Sequence, residues 1–294
     1  MKKIILAVLI CLNLSAKGQG SAPSETQTIV NGDVEIVQVE AKFAGNLSID
    51  GKKKRWLSVP GDENLKFAVV AASYRQKGEI KLINGLKSGD ETIVFKIMEG
   101  EYKKEKITVE GSKVTPPKEV LKRIEEEREE ANKIYATTNV GLKFNSKFIL
   151  PMSSSVTSPF GTARVFNGTL KSYHGGTDFR AAVGTSVIAA NDGVVVIAKD
   201  RYYAGGSVVI DHGEGIYTQY YHLSALNVKV GQSVKKGDII ALSGASGRVS
   251  GPHLHFGVIA GGVQVNPLNF VKKNQRNFKL TFFSRLFFKL RSSF

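Results

Sequence analysis

The sequence predicts a mainly β protein in which a small β domain and a helix precede a second β domain. Three observations support this class. Short alternating runs of apolar and polar residues fill positions 28–112, one charged segment with helical periodicity occupies 116–138, and runs of β-branched residues between glycines fill 148–270. Period-two runs bounded by turn residues indicate strands, whereas apolar residues that recur every three or four positions indicate a helix. The 294 residues are sufficient for about two domains.

The first 18 residues are predicted to be a secretory signal peptide. A positively charged start precedes an apolar run at positions 4–14, and small residues follow, with cleavage expected after Ala16 or Gly18. The apolar run is about half the roughly 20 residues that a membrane-spanning helix needs. We therefore expect an exported protein.

Cys11 is the only cysteine of the chain, and it lies inside this signal segment. A lipoprotein anchor at Cys11 is an alternative interpretation. Ile10 argues against it, because lipoprotein signals have a small residue before the modified cysteine. Once the segment is removed the protein has no thiol, which excludes disulfides and a cysteine nucleophile.

Residues 28–112 form the first predicted domain, a small β-sandwich-like unit. Alternating runs such as 34–39, 65–70 and 93–97 are separated by glycine-containing turns, as in small all-β domains. The polar residues 21–27 are predicted to be a flexible lead-in to it. No pattern in this domain indicates chemistry, so a spacer or docking domain is the favoured interpretation.

A linker helix is predicted over 116–138, directly after the strands end. Its apolar residues fall on roughly one stripe, formed by Val120, Ile124, Ala131, Ile134 and Tyr135. The glutamates at positions 125–127, 129 and 130 lie opposite and are predicted to face solvent. We expect the apolar stripe to rest on a neighbouring domain.

The net charge of +15 is concentrated at the two ends of the chain. Positions 21–150 contain 22 basic and 20 acidic residues, and positions 151–270 contain 9 and 6. A nucleic-acid-binding domain would carry a basic stripe on a folded face. No nucleic-acid-binding motif is present either, so we expect no nucleic-acid partner.

All five histidines lie between positions 174 and 255, in the second predicted β domain. His174 and Asp178 are separated by a segment with two glycines, which permits a tight backbone path that turns both side chains toward one point. His253 and His255 share one face if they lie on a strand, because strand side chains alternate. Two histidines and one carboxylate are a recurrent catalytic zinc set that leaves a position for water.

This domain resembles the LytM/lysostaphin-type zinc endopeptidases of bacterial cell walls. The matching stretches run in the family's order through the domain and comprise 157–161, 174–178, 221–224, 234–240 and 253–257. The resemblance implies a LytM-like antiparallel β-sheet metallopeptidase domain with a cleft on the sheet. It also implies that the substrate is peptidoglycan and that stem-peptide cross-links are cut by DD-endopeptidase activity, with DD-carboxypeptidase activity left open as an additional one. The exported protein would then work in the periplasm or facing the cell wall.

The same resemblance assigns roles to individual residues. His174, Asp178 and His255 match the ligands of one Zn²⁺ ion. His222 and His253 match two unligated histidines beside the metal, which implies a catalytic role for both. No His-Glu-x-x-His motif is present, so the helical metalloprotease classes are excluded.

Two other functions are compatible with such a domain. A non-catalytic LytM-type domain could activate a separate cell-wall amidase, although such domains typically lose metal ligands and none is missing here. A secreted bacteriocin-like toxin would be expected to carry a wall-binding repeat, which the sequence lacks. The region 28–148 raises a further alternative, since it could fold over the cleft and restrict access of substrate, or act as a passive spacer.

The remaining candidates have simpler interpretations. His212 fits no ligand spacing and is predicted to be structural. Tyr217, Tyr220 and Tyr221 alternate near His222; packing is the favoured interpretation, and a place in the substrate cleft is the alternative. The tail 271–294 carries seven Lys or Arg and no acid. It is either a packing extension or disordered tail, or a peripheral contact to an anionic membrane or wall polymer.

Overall fold

The computed structural model describes residues 24–168 and 170–275. The predicted signal peptide with Cys11 lies outside the described residues, and so does the tail from 276 onward. Among the helices that are described, none combines the length and the apolar character needed to span a membrane. Strands dominate the regular structure, which confirms the predicted mainly β class.

The N-terminal half forms two sheets around one apolar core. One sheet has the strand order β1-β8-β7-β3-β4 and the other β2-β6-β5. Ile80 and Leu82 of β7 and Ile93 and Phe95 of β8 alternate with more exposed residues and fill the core between the sheets. The strands are β1 (Ser24–Val30), β2 (Val34–Glu40), β3 (Asn46–Ile49), β4 (Lys52–Lys53), β5 (Leu57–Val59), β6 (Asp62–Ala71), β7 (Glu79–Leu86), β8 (Gly89–Met98) and β9 (Lys104–Ile107).

Strand β1 corrects the prediction of a flexible lead-in over 21–27 for the described residues 24–27. Residues 24–30 pair in parallel with β8 from Ser24↔Thr92 to Val30↔Met98. The backbone makes these ladder hydrogen bonds whatever the side chains are, so polar residues can form a strand at the edge of a sheet. Only Ile29 of this strand is buried, which explains why the sequence carries no apolar alternation here.

The predicted linker helix is present as α1 (Lys118–Ala136). Ala131 is buried, and Ile134 and Tyr135 contact a buried cluster of the second half that includes Tyr217. The Tyr217 hydroxyl donates to the carbonyl of Ile134 at 2.8 Å, near the last turn of the helix. The apolar stripe therefore rests on the second domain, as the periodicity predicts.

Two glutamates of α1 bond to the second half, in contrast to the solvated face predicted for the helix glutamates. Glu127 accepts a hydrogen bond from the Tyr202 amide at 2.9 Å, and Glu130 pairs with Lys199 at 2.7 Å. Positions 127 and 130 lie three residues apart, so they share a helix face with Ala131 and its neighbours. The helix is therefore held on the second half by polar contacts as well as by apolar ones.

The second half is built on an antiparallel sheet with the strand order β10-β13-β20-β17-β16-β15-β18. This arrangement confirms the antiparallel sheet implied for the peptidase domain. The elements are β10 (Val156–Ser158), β11 (Ala163–Phe166), β12 (Leu170–Tyr173), β13 (Thr177–Arg180), β14 (Ser186–Ile188), β15 (Gly193–Arg201), β16 (Gly205–Asp211), β17 (Tyr217–Leu226), β18 (Ser233–Val234), β19 (Ile239–Ser243), β20 (His253–Ala260), β21 (Val263–Val265) and α2 (Pro267–Gln275).

Helix α2 was not predicted from the sequence. The Asn266 side chain accepts hydrogen bonds from the amides of Leu268 and Asn269, and Pro267 occupies the first helical position. This is a regular helix start, because proline there loses no intrahelical hydrogen bond. The helix continues past position 270, where the predicted peptidase domain ends, and buries Val271.

The two halves of the chain are interlocked. Val34 of β2 lies in the same buried cluster as Phe148 and Phe270 of the second half. Lys273 of α2 donates to Asp33 at 3.1 Å, so an ion pair links the last described helix to the residue before β2. Strand β9 leaves the N-terminal sheets and pairs in parallel with β11.

Candidate metal centre and active site

Three potential metal ligands converge where β13 and β20 lie side by side. Asp178 on β13 is the direct cross-strand partner of His255 on β20, and His174 precedes β13. His174 Nε2 lies 2.8 Å from Asp178 Oδ1 and 2.9 Å from His255 Nδ1, and His255 Nδ1 lies 2.9 Å from Asp178 Oδ1. All three residues are buried. The structure thus brings together the three residues that the sequence predicts as ligands.

Two of the three candidate ligands, His174 and Asp178, present lone pairs to the centre of the cluster. His174 Nδ1 lies 3.0 Å from the Pro159 carbonyl, which can only accept, so Nδ1 carries the proton and Nε2 is free to coordinate. Burial lowers the pKa of His174 to about 4, which keeps the ring neutral at pH 7. Burial raises the pKa of Asp178, but its contacts with His174 and His255 outweigh burial and lower this pKa, so the carboxyl remains ionised.

This donor set fits a zinc ion. Two neutral imidazoles and one carboxylate, with no thiolate, are the ligands of many catalytic zinc sites. A tetrahedral ion bound at about 2.0–2.1 Å separates its donors by about 3.3 Å, so these atoms would have to move apart by only a few tenths of an ångström. Three protein ligands leave a fourth position for water or substrate.

The two glycines between His174 and Asp178 provide space for the cluster. A Cβ on Gly176 would lie 2.6 Å from His255 Nε2, and a Cβ on Gly175 would lie 2.4 Å from the Gln264 side-chain oxygen. Neither glycine adopts a left-handed backbone. The motif therefore needs glycine because the ligand ring and its surroundings approach the backbone closely, a reason that differs from the tight turn expected from the sequence.

Arg164 is a functional candidate that the sequence analysis missed. Its guanidinium donates to Asp178 Oδ2 at 2.7 Å and to Ser158 Oγ at 2.9 Å. Asp178 therefore presents Oδ1 to the histidines while Arg164 holds its other oxygen. Glu105 of β9 approaches the same guanidinium, with Oε2 3.6 Å from Nε. Arginine is not a zinc ligand, so no ligand spacing pointed to this position.

We expect Arg164→Met to lower the zinc affinity by about 10- to 100-fold, the usual effect of removing a residue that orients a ligand. The physical reason is that Asp178 would lose the guanidinium that fixes its orientation. Competition with a fluorescent zinc chelator measures the effect. Arg55→Met is the matched control, because it removes a surface ion pair to Glu214. An affinity within about twofold of the wild-type value in Arg164→Met would show that Arg164 does not position Asp178.

His222 and His253 lie beside the three ligands but make different contacts. Their ring centroids are 4.8 Å apart, and the His222 ring centroid lies 5.9 Å from that of His255. His253 Nε2 lies 3.8 Å from Asp178 Oδ1. The structure thus places both predicted catalytic histidines next to the predicted metal position.

Both of these histidines hold their Nδ1 proton on a backbone carbonyl. His222 Nδ1 donates to Ser246 O and His253 Nδ1 to Gly251 O, each at 2.8 Å. In the neutral rings Nε2 therefore carries the free lone pair. Burial lowers the pKa of His222 to about 3, so this ring is neutral at pH 7. His222 also has a left-handed backbone, with φ of 64°. Such a conformation in a non-glycine residue is uncommon and tends to occur at functional sites.

The tyrosines near His222 divide into two groups. Tyr217 and Tyr220 are buried in the core, which fits the packing interpretation. Tyr221 stacks on the His255 ring with a centroid distance of 5.4 Å and an interplanar angle of 3°. Its hydroxyl lies 3.4 Å from that of Tyr135 on α1. Helix α1 therefore contacts the tyrosine that packs against the ring of His255.

His212 is structural, as the sequence predicts. Its Nδ1 donates to the Asp192 carbonyl at 2.6 Å, and its Nε2 accepts from the Thr218 hydroxyl at 2.8 Å. Burial lowers its pKa to about 4, so the ring is neutral. Both nitrogens are occupied away from the ligand cluster.

The N-terminal half contacts the structure next to this centre. Tyr74 stacks on Tyr173, the residue before His174, with a centroid distance of 4.0 Å. Glu105 approaches Arg164, as described above. Restricted access of substrate by region 28–148 stays a prediction, and these contacts show that the region lies beside the metal centre.

An antiparallel β domain with a His/Asp/His cluster and two further histidines is the arrangement expected of a LytM-type zinc metallopeptidase domain. Residues 172–267, about a third of the chain, match the family model described as Peptidase family M23.

Several relatives are similar to this domain. Peptidoglycan DD-endopeptidase ShyA of Vibrio cholerae is 50% identical over 101 residues, which cover 34% of this chain and 23% of the relative. ShyB of the same organism is 40% identical over 117 residues, 38% of this chain and 28% of the relative. DD-carboxypeptidase/endopeptidase Mpg of Neisseria meningitidis is 40% identical over 96 residues, 33% and 22% of the two chains. The chain thus spans about a quarter of the length of these relatives.

One solved structure is similar over most of the chain. It is described as a peptidase M23 of Pseudomonas aeruginosa and has a TM-score of 0.64 at 29% sequence identity. The match covers 83% of this chain and 95% of that chain. The likeness therefore extends beyond the family domain into the N-terminal half.

Proposed function

We propose that this protein is a zinc-dependent peptidoglycan hydrolase that cuts stem-peptide cross-links. The observation that carries the proposal is the complete cluster of His174, Asp178 and His255, with His222 and His253 beside it. The printed names of the relatives support peptidoglycan as the substrate class, as DD-endopeptidases and as a DD-carboxypeptidase/endopeptidase. We further propose export to the periplasm, from the signal-like positions 1–18.

The three ligands would hold a zinc ion, which supplies polarisation of the scissile carbonyl and a lowered pKa for bound water. The two neighbouring histidines supply the proton transfers. With each Nδ1–H fixed on a carbonyl, an Nε2 lone pair of His222 or His253 accepts the proton of the attacking water. The ring that has become protonated can then stabilise the oxyanion or return the proton to the leaving amine.

The second candidate is a non-catalytic activator of a cell-wall amidase. A domain that only binds an amidase would need neither a fitted donor set nor two histidines with free Nε2 atoms. The retention of both, together with Arg164 on the ligand carboxylate, favours the enzyme.

We expect the purified protein to convert cross-linked dimeric muropeptides to monomers when it digests isolated peptidoglycan. The matched control is the same preparation stripped of zinc by a chelator, which should be inactive and should recover when zinc is restored. Mass spectrometry of the released muropeptides identifies the bond. Loss of a terminal D-alanine alone would assign carboxypeptidase activity, and stimulation of an added amidase without any cleavage would support the activator instead.

A further inference from the structure

Arg248 lies in the loop between β19 and β20 that also orients a catalytic candidate. Two residues earlier in the loop, the Ser246 carbonyl accepts the Nδ1 proton of His222. The amide of Arg248 itself donates to the Tyr203 carbonyl at 2.8 Å. The loop is thus anchored at both positions, and it carries Arg248 beside the proposed active site.

The guanidinium of Arg248 is held between two aromatic rings. It lies 4.5 Å from the ring centroid of Phe166 on β11 and 4.6 Å from that of Tyr203. Contacts to two ring faces restrict the orientation of the planar group while leaving its N–H edge available for hydrogen bonds. The side chain is therefore ordered in advance of any ligand.

Within residues 24–168 and 170–275, no carboxylate forms an ion pair with Arg248, and no carboxylate is among the groups that shift its pKa. The nearby charge of Arg164 is of the same sign. Burial lowers the pKa of Arg248, Tyr203 raises it and Arg164 lowers it, but an arginine remains charged at pH 7. A half-buried cation without a counter-ion is unfavourable, so its retention points to an anion that arrives with a ligand.

We propose that Arg248 binds a carboxylate of the peptide substrate close to the scissile bond. This inference rests on the proposed function and deepens it, because it names the chemical group that the site recognises. A guanidinium presents two parallel N–H groups that match the two oxygens of a carboxylate. A carboxamide offers one oxygen and an N–H₂ donor instead, so this residue would distinguish a free carboxylate of the stem peptide from an amidated one.

The test compares two synthetic muropeptide dimers that differ only at the carboxylates next to the cross-link, which are free in one dimer and amidated in the other. The wild-type enzyme should favour the free carboxylates by about 10- to 100-fold in kcat/KM, the range expected for one charged hydrogen-bonded pair. Arg248→Gln should bring this ratio close to one, mainly through a higher KM for the carboxylate dimer. Arg248→Lys should give an intermediate ratio, since lysine keeps the positive charge but lacks the two parallel N–H groups of the guanidinium.

Arg128→Gln is the matched control, because Arg128 is an exposed arginine on α1, and it should keep the wild-type ratio. The ratio also separates recognition from damage to the loop, since a displaced His222 would slow both dimers equally. Equal rates of the wild-type enzyme on the two dimers, or an unchanged preference in Arg248→Gln, would overturn the carboxylate site alone. Cleavage of neither dimer by the wild-type enzyme would instead overturn the proposed function and this inference together.

Discussion

His174→Ala and His255→Ala will each abolish zinc retention, which is the largest effect we expect from any single substitution. Either change leaves Asp178 and one histidine, and two protein ligands hold zinc poorly in a site built for three. Elemental analysis after gel filtration should give about one zinc per wild-type chain and close to none in the variants. Peptidase activity should disappear with the metal.

His222→Ala is the matched control for zinc retention, because it removes a buried histidine of the same centre but none of the three ligands. It should retain zinc at the wild-type level. Full zinc occupancy in His174→Ala or in His255→Ala would remove the assignment of these residues as ligands.

The second large effect concerns the two histidines outside the ligand set. His222→Ala and His253→Ala should retain zinc and the fold while lowering kcat by about 10²- to 10⁴-fold, the usual range for lost general acid–base catalysis. Steady-state kinetics on a soluble muropeptide dimer measures this loss. Zinc content and thermal unfolding of the same preparations distinguish lost chemistry from lost structure.

A second variant at position 222 separates the loss of the imidazole from strain in the left-handed backbone. His222 has a left-handed φ, and asparagine accepts that conformation better than alanine does. His222→Asn should therefore be as inactive as His222→Ala but more stable to heat. Wild-type turnover in any of these variants, or loss of their zinc, would mean that the catalytic roles are assigned to the wrong residues.

Much of the local structure could be predicted from the sequence because its causes are local. The apolar stripe from Val120 to Tyr135 has helical spacing, and α1 forms over that segment. His253 and His255 lie two positions apart on a strand, so their shared face follows from strand geometry. The role of His212 could be predicted as well, because it stands outside both histidine motifs.

The long-range arrangement could not be predicted in the same way. The direct pairing of Asp178 with His255 is a register between strands 77 positions apart, and nothing in either segment fixes that register alone. Arg164 was missed because arginine is not a zinc ligand and because its contact with Asp178 depends on how the chain turns between the two residues. Strand β1 was missed because it is an edge strand with one buried residue, Ile29, so its sequence shows no alternation of apolar and polar residues.

The parallel pairing of β9 with β11 limits where the catalytic half can be separated from the rest. Strand β11 lies between β12 and β9, and β9 belongs in sequence to the N-terminal half. A chain that began near Phe148 would expose one side of β11 as an open edge with unpaired amide and carbonyl groups. Such edges recruit strands from other molecules and promote aggregation. A shortened protein that contains only the second half should therefore begin before Lys104, or carry lysine or proline on the uncovered edge.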